Sequence, residues 1–310
     1  MSFSNEVKEE LAQVEPGCSH CLRATLAALV RVNGSLYLVG KGKHRLEIDT
    51  DSLPTANLIQ NYFQQLYELE IAITIRRNVL HKSLNYLISI PPQHELEYAL
   101  VDMGVLAEDG GLEMGLAPKL VKKQCCSAAY LRGAFIGNGF IADPSGRAHF
   151  ELSFVLEEIA NDVAKLFHEK GINVKVMKRR NNFVVYLKSG DAITEFLAYT
   201  QAYKAAMEYE EQRVIKSVRN DTNRKTNAEI ANMQKAVDAS LRSCECIMKL
   251  QEQGRISSLP AALREIAYLR LQYPAASLSE LGQHANPPLS KSAVAHRVHR
   301  LEQVALTLKR

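Results

Sequence analysis

No stretch of this 310-residue chain reaches the roughly 18 uninterrupted apolar residues of a membrane span, which excludes a protein anchored by a transmembrane helix. The first residues, MSFSNEVKEELAQ, lack the apolar centre of a secretory signal and read as a polar amphipathic helix. A cytoplasmic location without a membrane partner is therefore expected. Cysteine is scarce as well. The six present fall in three local pairs, Cys18/Cys21, Cys125/Cys126 and Cys244/Cys246, too thin a pattern for a disulfide framework. Cys18-Ser-His-Cys21 has half the spacing of a zinc knuckle and encloses His20, but no second CxxC or HxxxH follows to complete four ligands. Ordinary reduced thiols at the start of a helix are expected there, with no metal and no cofactor.

What is present is the composition of an ordinary globular protein, 46% hydrophobic and 23% charged, in a chain long enough for two or three domains. The net charge of +4 is unevenly placed. From Arg255 to Arg310 there are eight Lys or Arg against three Asp or Glu, with three of the nine histidines, so the rest of the chain is nearly neutral. A small basic domain on a neutral body is the footprint of a module that meets polyphosphate.

Hydrophobic periodicity predicts a helix over 20–33, strands over 35–39 and 44–50, a helix over 55–68, strands over 71–77 and 84–90, and a helix near 93–103. After the Gly-rich break at Glu108-Asp-Gly-Gly111 the order returns: helix 125–138, strand 147–154, helix 156–169, strands 172–178 and 182–188, helix 190–199. His44-Arg-Leu-Glu-Ile-Asp49 echoes His149-Phe-Glu-Leu-Ser153, and Ile71-Ala-Ile-Thr-Ile-Arg-Arg77 echoes Val174-Lys-Val-Met-Lys-Arg-Arg180. An internal repeat is inferred. Its halves are residues 1–110 and 111–200, followed by a proline-free helical linker, 201–254, and a last domain, 255–310. On the linker, Arg213, Lys216, Arg219 and Arg224 are candidates for secondary phosphate contacts; the alternative is a solvated helix.

In the last domain a helix begins near Pro260, where proline suits a first turn, and runs to Tyr273 before Pro274 stops it. Ser277-Leu-Ser-Glu280 is a capping box that starts a short helix, 278–284. Ala285-Asn-Pro-Pro-Leu289 cannot be helical, and Ser290 then caps a third helix from Lys291. Val294, Val298, Leu301 and Ala305 form its packing stripe. Ser292, His296, His299, Arg300 and Gln303 project from the other side, flanked by Lys291 and Arg297, on a face nearly free of acid. Residues 276–309 thus fit a helix-turn-helix, whose last helix enters the major groove of double-stranded DNA. Ser290 to His296 are placed for base edges, Arg297 and Arg300 for phosphate or guanine. Any three-helix bundle also shows a polar outer face; order, turn chemistry and charge together favour DNA.

Each repeat ends its first helix in a nine-residue phrase, Leu26-Ala-Ala-Leu-Val-Arg-Val-Asn-Gly34 and Leu131-Arg-Gly-Ala-Phe-Ile-Gly-Asn-Gly139. Both resemble the LAGLIDADG signature of homing endonucleases, and the flanking order of strands and helices is similar to that fold. Ala27, Ala28, Gly133 and Ala134 would let the two helices pack closely, and Gly34 and Gly139 would turn the chain out of each helix through their conformational freedom. In active members of that family the residue before the last glycine is acidic and binds metal at the scissile phosphate. Asn33 and Asn138 replace those acids here, removing the negative charge a hard cation needs. Cleavage would require substitute ligands such as Asp143 or Asp49. What is left is a structural scaffold or a weak nucleic-acid surface.

A degenerate LAGLIDADG duplication, a helical linker and a helix-turn-helix together resemble the bacterial WhiA family. The resemblance is carried by Leu131-Arg-Gly-Ala-Phe135, Asn223-Arg-Lys-Thr-Asn-Ala-Glu-Ile-Ala-Asn232 and Leu289-Ser-Lys-Ser-Ala-Val-Ala-His-Arg-Val-His-Arg-Leu301. It implies an α+β fold, a duplicated α/β/β/α/β/β/α domain followed by an all-α domain. It also implies a transcription-regulation role in cell division and chromosome segregation, with sporulation in some bacteria. The expected activity is nucleoid-associated DNA binding without enzymatic activity, with RNA polymerase or another regulator as a further candidate partner. The rivals are a metal-dependent endonuclease and a protein-interaction scaffold with incidental DNA contact.

Overall fold

The Ser2 side chain accepts a hydrogen bond from the Asn5 amide and starts α1 (Phe3–Ala12), which buries Phe3, Val7 and Leu11 at four-residue spacing. In this computed structural model, residues 2–40, 42–77 and 84–307 are described. The first repeat follows as α2 (Ser19–Asn33), β1 (Gly34–Gly40), β2 (Lys43–Thr50), α3 (Leu53–Tyr67), β3 (Ala72–Arg77), β4 (Leu84–Ile90) and α4 (His94–Asp102). The second is α5 (Gln124–Asn138), β5 (Gly139–Ile141), β6 (Phe150–Phe154), α6 (Glu157–His168), β7 (Lys175–Arg179), β8 (Asn182–Leu187) and α7 (Gly190–Tyr199). The expected order holds, with one strand added. β5, only three residues long, is too short to show an alternating pattern in sequence.

Each repeat folds into a four-stranded antiparallel sheet, β1-β2-β4-β3 and β5-β6-β8-β7, and the identical order is the structural mark of the duplication. Alternate residues point inward, Leu46 and Ile48 from β2, Phe150, Leu152 and Phe154 from β6, and join one core shared by both halves. Between the halves, α2 and α5 lie side by side, buried along most of their lengths. The Thr25 hydroxyl donates to the Ala129 carbonyl at 3.2 Å across this interface. A Cβ on Gly133 would sit 2.4 Å from the Thr25 carbonyl oxygen, so the approach requires glycine.

Gly34 and Gly139 have φ of −80° and −87°, so the left-handed freedom expected of them is not used. Space is the reason instead. A Cβ would meet the Val30 carbonyl oxygen at 2.3 Å in the first case and the Phe135 ring at 2.2 Å in the second.

Contacts divide the chain between Lys216 and Ser217, within the 50-residue helix α8 (Tyr203–Glu252). The second unit continues through α9 (Ala261–Gln272), α10 (Leu278–His284) and α11 (Lys291–Thr307). Its core gathers Leu263 and Ile266 from α9, Leu281 from α10, and Val294, Val298 and Leu301 from α11, together with Ile247 and Leu250 near the end of α8. Arg270 is buried here, its guanidinium donating to the Ala276 carbonyl at 2.6 Å and the Ser240 hydroxyl at 3.1 Å. Burial lowers its pKa, and its hydrogen bonds tie the turn before α10 to α8.

Candidate nucleic-acid interface

The capping box that starts α10 is formed in full. The Glu280 amide donates to the Ser277 hydroxyl at 3.2 Å, and the Ser277 amide to the Glu280 carboxylate at 2.7 Å. Those bonds hold the Glu280 carboxyl below the usual carboxylate range. After α10 the chain doubles back, and the Leu289 amide donates to the Gly282 carbonyl at 2.8 Å. A Cβ on Gly282 would lie 2.2 Å from the Leu289 carbonyl oxygen. From α9, Glu265 accepts from the Asn286 amide at 2.9 Å and pairs with Arg297 at 3.4 Å, so one carboxylate fixes both the turn and α11. Ser290 caps α11 by accepting from the Ala293 amide at 3.3 Å.

Val294, Val298 and Leu301 face the core as expected, and Ala305 packs at its margin. Ser290, Lys291, Ser292, His296, His299, Arg300 and Gln303 are exposed, and the first turn of α11 carries no acid. Ser292, His296 and Arg300 follow one another at four-residue spacing, a stripe about 12 Å long. Among the described residues, Lys291 and Arg300 form no ion pair. His299 meets the Gln303 amide at 3.1 Å and the Glu302 carboxylate at 3.8 Å. Residues 308 and 309 of the expected motif lie outside the described residues.

Several basic residues assigned from sequence to phosphate are engaged within the protein. Arg297 is paired with Glu265 and partly buried, whereas Arg300 is exposed. Arg270, part of the basic count of the tail, is buried. On α8, Arg213 pairs with Asp191 at 2.6 Å and with Glu210, and Lys216 donates to the Gly146 carbonyl. Arg224 lies 3.9 Å from Asp221, largely exposed, and Arg219 is exposed without an ion pair among the described residues. Of those four, Arg219 and Arg224 keep access to solvent.

At the C-terminal ends of α2 and α5 stand Asn33 and Asn138. The Asn33 amide donates to the Asp49 carbonyl at 3.0 Å and the Asn138 amide to the Ser153 carbonyl at 3.5 Å. An aspartate in either place would set a carboxylate oxygen against a carbonyl oxygen. Asp143, named above as a substitute ligand, is instead bound by the Ser145 amide at 2.9 Å and by its hydroxyl at 2.5 Å, and Asp49 is 3.4 Å from the Asn85 amide. Arg31 and Arg132, inside the two signature phrases, donate to main-chain carbonyls, Glu113 and Gly104 for Arg31 and Thr200 for Arg132. Burial lowers the pKa of both.

The opposite ends of the same helices hold a feature that sequence reasoning missed. Cys18 and Cys21 start α2, Cys125 and Cys126 start α5, and among the described residues these four are the group of metal-donating side chains that converges, all Sγ atoms lying within 4.8 Å of one another. The completing pair sought close by in the chain lies more than a hundred residues on, at the corresponding place in the second repeat. Cys21 and Cys126 each stand thirteen residues ahead of the glycine that ends the phrase. Burial raises the Cys18 thiol, but hydrogen bonds from Cys21, Cys126 and Cys125 outweigh it and bring it to about 6; burial pushes Cys21 up to about 11.

Comparison with known proteins covers almost every part of this architecture. Family models described as the WhiA N-terminal LAGLIDADG-like domain, the WhiA LAGLIDADG-like domain and the WhiA C-terminal HTH domain match residues 19–106, 127–219 and 222–305. The probable cell division protein WhiA of Heliobacterium modesticaldum is 42% identical over 311 residues, covering 100% of this chain and 98% of its own. The protein of the same description from Desulfitobacterium hafniense is 40% identical over 310 residues, covering 100% and 97%. The crystal structure of full-length DUF199/WhiA from Thermatoga maritima matches with a TM-score of 0.60 at 23% identity, over 99% of each chain. Duplicated sheets, paired signature helices and a C-terminal helix-turn-helix, with full-length relatives at this identity, make the chain a member of the WhiA family.

Proposed function

We propose that this protein is a sequence-preferring DNA-binding regulator of cell division and chromosome segregation, acting on the nucleoid without nuclease activity. The observation that carries the reading is the exposed face of α11, where Lys291, Ser292, His296 and Arg300 stand without an acidic partner among the described residues and the first turn holds no acid. Such a helix, about 10–12 Å across with its side chains, matches a major groove about 12 Å wide. Phosphate is met by Lys291 and Arg300, with Arg219 and Arg224 as secondary contacts, and bases by Ser292 and His296. Assignment to cell division rests on the description of the relatives. The absence of cleavage rests on Asn33 and Asn138, whose amides are committed as donors to carbonyls where a metal site needs carboxylates. The neutral first unit is then free to serve as scaffold or as the surface for RNA polymerase or another regulator.

Fluorescence anisotropy of the full chain on genomic fragments across a salt series tests this. Arg300→Ala should weaken binding about tenfold and lower the salt slope by about one, as the loss of one phosphate contact does. Arg297→Ala should leave the slope unchanged, since its guanidinium is occupied by Glu265. Equal effects of the two substitutions, or cutting of plasmid in a parallel magnesium control, would overturn the reading.

A further inference from the structure

We propose that Cys18, Cys21, Cys125 and Cys126 form a structural zinc site that joins the two LAGLIDADG-like halves at the start of their paired helices. The Sγ atoms of Cys18 and Cys21 are 3.5 Å apart, Cys18 and Cys126 3.7 Å, Cys18 and Cys125 3.8 Å, and Cys21–Cys126 and Cys125–Cys126 3.9 Å. Zinc–sulfur bonds of about 2.3 Å directed to the corners of a tetrahedron give a sulfur–sulfur edge of about 3.8 Å. The four thiols are thus spaced as a tetrathiolate around one ion. A four-iron cluster would carry them on separate metals at the outside of a cube, farther apart than this group. All four cysteines are free, so no disulfide competes for them.

The surroundings suit thiolates. Cys18 occupies the N-cap position of α2, Cys21 lies in its first turn, and Cys126 lies in the first turn of α5, so the positive ends of two 15-residue helices lie at the group. Soft thiolates in a tetrahedral set select zinc over the hard cations, and on the divalent series the same ligands hold zinc more tightly than ferrous iron. Four protein ligands leave no open position for a water, which makes the site structural rather than catalytic. Its mechanical effect is to close a loop of more than a hundred residues and to fix the N-terminal ends of α2 and α5, whose other ends carry Asn33 and Asn138. Cys125 is exposed, so chelators and oxidants can reach the rim.

Elemental analysis of the full chain, purified under reducing conditions without chelator, should find one zinc per chain. The metal-free protein, reloaded with cobalt(II), should show the intense visible bands of a tetrahedral tetrathiolate, and the melting temperature of the first unit should fall when the metal is removed. Cys125→Ser, at the exposed rim, should lose those bands and most of the zinc, while Cys246→Ser in the other unit retains both. Trace zinc in the wild type with no cobalt spectrum on reloading would overturn the proposal, as would iron with inorganic sulfide in place of zinc. The wild-type measurements decide the question even if the Cys125 variant folds poorly.

Discussion

Gly133→Leu should lower the melting temperature of the first unit by roughly 10 °C, with Gly133→Ala causing a smaller fall of the same sign. The Cβ alone would lie 2.4 Å from the Thr25 carbonyl oxygen and 3.0 Å from the Ala28 Cβ, so even a methyl forces α2 and α5 apart. Separation breaks the Thr25–Ala129 hydrogen bond and loosens the contacts of Leu26, Ala27, Leu131 and Ala134, each essentially inaccessible to solvent. Overpacking of this kind costs about 1–3 kcal/mol where neighbours can yield, and here the nearest neighbour is main chain. Differential scanning calorimetry of the full chain gives the answer. An unchanged first transition would mean that the helices are not held at this distance in solution.

Gly282→Val should reduce DNA affinity by more than tenfold while leaving most of the helical content in place. The turn between α10 and α11 closes on the Gly282 carbonyl through the Leu289 amide, and a Cβ would press on the Leu289 carbonyl oxygen at 2.2 Å. Val294 is also near, its Cγ2 at 3.4 Å from that Cβ position, so relief of the clash moves the start of the helix that carries Lys291, Ser292 and His296. A displacement of a few ångströms is enough to lose hydrogen bonds whose useful range is about 2.7–3.2 Å. Gln283→Ala, exposed one residue along, is the control and should bind as wild type. Circular dichroism beside anisotropy separates misplacement from unfolding, and wild-type affinity in Gly282→Val would show that the turn does not set the position of α11.

The parts of this fold that were legible in sequence are those set by local chemistry. The capping box at Ser277 and Glu280 located α10 to the residue, because both of its hydrogen bonds lie within one turn. The duplication was visible because β2 and β6 repeat an inward alternation, and the close approach of α2 and α5 because small residues recur on them. What stayed hidden depends on partners distant in the chain. Arg297 meets Glu265 and Arg270 meets Ser240, thirty residues away, and a count of basic residues cannot tell such pairs from free cations. The convergence of the four cysteines is hidden in sequence for the same reason. Each half supplies two thiols, in pairs spaced differently, and only the packing of α2 on α5 brings them together. At Gly34 and Gly139 sequence suggests backbone freedom, whereas the fold demands space.

On the proposed function, the exposed face of α11 reads bases. Selection of bound sequences from a random DNA pool, by the wild-type full chain and by the Ser292→Ala/His296→Ala variant, tests it most directly. The variant should still bind, through Lys291 and Arg300, but with a preferred sequence relaxed at the positions that Ser292 and His296 contact. An unchanged preferred sequence at wild-type strength would place the reading of DNA elsewhere in the chain.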